Sequence, residues 1–157
     1  MEARSRLRCP GPSLRYVESL DNRRTWVLPP LTGTFDDVDL EFVDPADDDD
    51  RWVLVAAEHP EFHAAVDAGE REIMVDGQVI NPALHLTLHE AVAKQIWDDD
   101  PPEVGLAAQR LTALGYDRHA VLHMLMSAIS DEAWHALRGE DVDERTFSAR
   151  LAALPRS

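Results

Sequence analysis

From Asp47 onward, apolar positions recur three and four residues apart, the period of one helical face, and prolines, glycines and acidic residues divide them into a series of helices. A carboxylate-rich first turn after Asp47 leads into Trp52, Val53, Val55, Ala56 and Ala57, which predicts a first helix. Pro60, directly after His59, suits the first position of a second, short helix reaching about Gly69, with a break or kink between the two. Ile73 to Ile80 places Asp76-Gly77 between two short apolar runs, the signature of a tight β-hairpin. Asn81-Pro82 reads as N-cap and first helical residue of a strong helix through Trp97, which ends before Asp98-Asp99-Asp100-Pro101-Pro102. A further helix over 103 to 114 stops at Gly115, Asp117 caps a long helix to about Arg138 closed by Gly139, and Thr146 to Leu154 makes a short terminal helix. The expected fold is mainly α: a small bundle of four to six helices with a short β-hairpin near 72–80.

Residues 1–45 show no such period. Pro10, Pro12, Pro29, Pro30 and Pro45 interrupt short apolar pieces such as Trp26-Val27-Leu28, so this stretch is read as an irregular N-terminal extension to a helical domain over 46–157. A chain of 157 residues can bury a self-supporting core without metal or disulfide, so a metal site here is expected to serve function and not folding. No apolar run approaches the roughly 18 to 20 residues that span a bilayer. The arginine-rich opening lacks the apolar stretch of an export signal, and a cytoplasmic location is expected. Cys9, the single cysteine, has no partner for an internal disulfide.

Charge narrows the partners. Thirty acidic residues against fifteen basic ones give a net charge of −15, a field that repels phosphate backbones and anionic lipid, so nucleic acid and membrane are disfavoured while a protein partner is not. The imbalance is local: six arginines fall in the first 24 residues and nine carboxylates between 36 and 50. Asp47 to Asp50 lack the alternating ligands, central glycine and closing glutamate of a calcium loop, and read as a solvated run.

The chemistry lies in the histidines. Of seven, six form pairs four apart: His59 and His63, His85 and His89, His119 and His123. Random placement gives roughly 0.3 such pairs by counting against a template. Residues four apart on a helix share a face about 5 to 6 Å apart, which lets two imidazoles address one ion. His85 and His89 continue the apolar stripe of Leu84, Leu88, Val92 and Ile96, and His119 and His123 run on towards Leu122, Met126 and Ile129, so both pairs should face the core. Short connections make successive helices antiparallel, so the 82–97 and 117–138 helices should run parallel, with both pairs in their first two turns and hence at one end of the bundle. The expected centre binds one or two divalent transition metals through His85, His89, His119 and His123, with His59 and His63 joining it or forming a neighbouring site. Imidazole ligation suits zinc first, then iron, nickel or manganese. An open coordination position would support metal-assisted hydrolysis.

His135 lies on another face. Glu58, Glu61 and Glu90 adjoin histidines as candidate ligands, orienters or bases. In HLTLHE the glutamate follows the histidine pair and does not sit between, so the zinc-protease motif is absent, as are a nucleophile elbow, a phosphate-cradling loop and paired cysteines. The competing expectation is a metal-free interaction or regulatory module whose buried histidines form a polar, pH-responsive network.

EHPEFHAAVDAGE, INPALHLTLHEAVAKQI, DDDPP and the stretch from Gly115-Tyr116-Asp117-Arg118-His119 to Ala133-Trp134 together resemble an uncharacterised bacterial family, domain of unknown function 1841, over residues 47–138. The resemblance implies a multihelical fold and carries no established activity.

Overall fold

A computed structural model describes residues 32–141 and 143–155. The arginine-bearing stretch and Cys9 lie outside these residues. Six α-helices and two small antiparallel hairpins occur among the described residues: β1 (Thr34–Phe35), β2 (Val38–Asp39), α1 (Asp48–Glu58), a 3₁₀ turn (Pro60–Phe62), α2 (His63–Asp67), β3 (Ile73–Val75), β4 (Gln78–Ile80), α3 (Pro82–Asp98), α4 (Pro102–Ala113), α5 (Arg118–Leu137) and α6 (Glu144–Ala152). The fold is mainly α, as expected. Among the described residues, no helix is long and apolar enough to cross a membrane.

Helix starts follow their caps. The side chain of Asp47 accepts from the backbone N–H of Asp49 and Asp50, Asn81 from Leu84, Asp117 from Ala120 and Asp143 from Thr146, so these four helices begin where a short acceptor satisfies an otherwise unpaired donor. The expected hairpin pairs Ile73 with Ile80 across a turn in which Asp76 and Gly77 both have positive φ. The other hairpin falls in the stretch expected to be irregular. Its turn, Asp36-Asp37, takes φ of +46° and +65° without a glycine, because a short side chain that hydrogen-bonds locally tolerates the left-handed region. Behind it, Leu40 and Val43 pack with Leu54 of α1.

The main core lies between α3, α4, α5 and α6, around Val92, Val104, Leu111, Leu122, Leu125 and Leu151. Arg110 of α4 donates to the carbonyls of Leu151 and Leu154 at 2.8 and 2.7 Å and so closes the end of α6. At the other edge α1 packs on α3, and the fully buried Arg51 joins them: its guanidinium donates to Glu90 of α3 at 2.7 Å, to the Pro45 carbonyl and to Asp48. A buried guanidinium needs its donors met, so this contact fixes the start of α1 against α3. The opposite end of α1 carries Glu58 and His59.

Leu125 is fully buried and Leu106 is 62% exposed. Leu125→Ala should cost about 2 to 5 kcal/mol in urea denaturation, and Leu106→Ala no more than about 0.5. A loss below about 1 kcal/mol at Leu125 would contradict this assignment of the core.

Candidate metal centre

Three parts of the chain meet at the start of α3. His85 and His89 occupy its first two turns, His119 and His123 the first two turns of α5, and His59 closes α1. Ring centroids of His59 lie 4.8 Å from His85, 4.9 Å from His89, 5.1 Å from His119 and 5.7 Å from His123. The His119 and His123 rings are 4.2 Å apart, as the one-turn spacing allows. One ring nitrogen from each of His59, His89, His119 and His123 falls within 4.8 Å of the others, a group that could hold a metal ion. His59 and His89 are 1% exposed.

The first pair does not act as a pair. His59 stands at the C-cap of α1 with φ −123° and ψ 59°, outside helical geometry, and a 3₁₀ turn beginning at Pro60 follows it, so the rule that residues four apart share a face does not apply across it. His59 enters the cluster, whereas His63, an expected ligand, sits elsewhere. The Nε2–H of His63 donates to the Ala56 carbonyl at 2.7 Å, and its ring rests on Phe35 at 4.8 Å. That same carbonyl accepts the backbone N–H of His59 at 3.0 Å. His63 thus steadies the turn that presents His59.

Two carboxylates orient the rings. The Nδ1–H of His59 donates to Glu61 at 2.9 Å and that of His119 to Glu58 at 3.1 Å, which leaves the Nε2 lone pair of each ring for another partner. Burial alone would raise the Glu58 carboxyl, but hydrogen bonds and charge from Arg118 and His119 outweigh it and hold it below the usual range. At Glu61 the upward pull of burial is outweighed by the His59 hydrogen bond, one of its own backbone and nearby imidazoles. Glu90, also adjacent to a histidine, pairs with Arg51 instead. His135 is apart from the cluster and bonds Glu140.

The remaining ring nitrogens are deprived of partners. Among the described residues, Nε2 of His59, His85 and His123 and both nitrogens of His89 are buried without a hydrogen bond. Burial, followed by the charge of neighbouring imidazoles, pushes His85 and His123 down to about 4 and His89 to about 2. These three rings, His85, His89 and His123, are neutral at physiological pH, the form that ligates metal. All five clustered histidines were candidates in the sequence, and Glu58 was a candidate orienter as a neighbour of His59; that its partner is His119, 61 residues away along the chain, is set by the tertiary fold.

The model of the family described as Domain of unknown function (DUF1841) matches residues 46–153, and the chain belongs to that family. The match runs past the stretch over which the resemblance was read and takes in α6. No curated protein and no solved structure matches.

The depressed histidines set an acid sensitivity for the metal-free protein. Below pH 6.5 the unfolded chain takes up protons that the folded chain refuses, so stability should fall as pH drops from about 6.5 to 4 and be flat just above. Glu58 and Glu61, lowered from 4.5, contribute stability that is lost only further down. Urea midpoints of chelator-stripped protein between pH 7.5 and 4.5 should show uptake of up to three protons on unfolding near pH 5, and His89→Gln a shallower slope. A profile flat to pH 4.5 would contradict the burial of neutral imidazoles.

Proposed function

We propose that this member of the family binds a divalent transition metal ion through His59, His89, His119 and His123. The observation that carries the reading is the convergence of four imidazole nitrogens within 4.8 Å, those of His59, His89 and His123 buried with no bond to the protein. An unpartnered buried nitrogen costs about 1 to 3 kcal/mol, and a cation with bonds of about 2.0 to 2.1 Å to each ring is the partner that meets all of them together. Glu58 and Glu61 support it by making the coordinating nitrogens better donors and fixing their tautomers. Imidazole donors without thiolate or a full carboxylate set favour borderline ions, of which zinc is the first candidate, with iron, nickel and manganese behind it.

The metal-free polar network is the weaker reading, because a network needs hydrogen bonds between its members, and Nε2 of His59, His85 and His123 and both nitrogens of His89 make none among the described residues.

Elemental analysis of untagged protein after reconstitution and dialysis should find about one equivalent of zinc or a competing transition ion. His89→Ala with His123→Ala should abolish it, and His63→Ala should retain it. At a free ion concentration of 100 times Kd the ion should add about 2.7 kcal/mol to unfolding stability, reversed by chelator. Uptake well below one equivalent, or uptake untouched by the double substitution, would overturn the proposal.

A further inference from the structure

We propose that His85 is a fifth ligand of the same ion, so that the centre belongs to the five- and six-coordinate class and keeps a position open to a small exogenous oxygen donor. The inference rests on the four-imidazole reading and extends it. His85 lies one helical turn before His89, which puts both rings on one face of α3. Its Nε2 shares the condition of the proposed ligands His59, His89 and His123: it is buried and has no hydrogen bond among the described residues. The ring stands edge-on to His59 at 4.8 Å and to His123 at 4.9 Å, and Phe62 holds it from a further side at 4.9 Å. Among the described residues, the protein gives this nitrogen no acceptor or donor of its own, while two of the proposed ligands flank it.

Its place in the cluster is peripheral in one direction only. The His85 ring is 6.2 Å from that of His89, farther than from His59 or His123, so it stands on the side of His59 and His123 away from His89. With bonds of about 2.1 Å, tetrahedral donors lie only about 3.4 Å apart, whereas donors trans across an octahedron lie about 4.2 Å apart. The nitrogens of His59, His89, His119 and His123 lie within 4.8 Å of one another, a span nearer the wider arrangement, and His85 stands outside that group, beside His59 and His123. Five neutral imidazoles leave the ion's charge uncompensated within its own shell, with Glu58 and Glu61 one ring away, so the open position suits a water, hydroxide or other small oxygen anion. His119, whose side chain is 41% exposed, marks the side from which it would enter. This donor number opens the site to nickel(II), iron(II) and cobalt(II) beside zinc, whose protein sites are mostly four-coordinate.

Cobalt(II) added to chelator-stripped full-length protein gives a direct count, because each imidazole bound through one nitrogen shows one exchangeable, strongly shifted ring N–H in the proton spectrum. The wild type should take up one equivalent of cobalt and show five such signals, and His85→Ala should keep the equivalent and show four. His85→Gln serves as the second variant if the alanine form does not fold. Four signals in both wild type and variant would overturn the fifth ligand and leave the four-imidazole centre standing. Failure of the wild type to bind cobalt, zinc or nickel at all would instead remove the centre on which this inference rests.

Discussion

Neutral imidazole nitrogens shut away from water and left without a hydrogen bond are the constraint around which this structure is arranged. Each costs about 1 to 3 kcal/mol, on the scale of a large part of the net stability of a small domain, and here they are gathered at one point and not scattered through the core. Such an arrangement persists only if the surrounding packing over-determines it. The helices that carry the rings also supply that packing: Val92 and Ile96 of α3 and Val121, Leu122 and Leu125 of α5 continue directly from the histidines into the main core. The apolar stripe that holds α3 against α5 thereby holds His85 and His89 against His119 and His123.

The third contributor, α1, has a different anchor. It packs on Leu40 and Val43 through Leu54, and it is joined to α3 by the apolar contact of Val55 with Leu86 and Phe62 and by a buried cation, Arg51, satisfied by Glu90, Asp48 and a backbone carbonyl. Removing one partner of a buried pair is strongly destabilising, so the link tolerates little slippage. Farther along the same helix Glu58 bonds both Arg118 and His119, a second tie from α1, here to α5. The charges of this acidic chain are therefore not all surface solvation, since a few carboxylates set the relation between helices and the orientation of the rings.

Much of this was legible in the residues because caps and periods are local. Asp47, Asn81 and Asp117 mark helix starts within a residue of those observed, and the spacing of His85 with His89 and of His119 with His123 holds because each pair lies within one regular helix. The same rule does not carry across His59 and His63, since Pro60 opens a 3₁₀ turn and the four-residue spacing no longer means a shared face. The hairpin at Thr34–Asp39 was missed because its turn is made by two aspartates in place of the usual glycine. The roles of Glu58 and Arg51 depend on tertiary contacts, which no local pattern encodes.

The most direct measurement is anomalous diffraction, at the metal's absorption edge, from crystals of the protein loaded with one equivalent of zinc. The account predicts one strong peak at about 2.0 to 2.1 Å from a ring nitrogen of each of His59, His89, His119 and His123, with none at His63. A cluster without density, or a peak confined to an exposed pair such as His135 and Glu140, would contradict it.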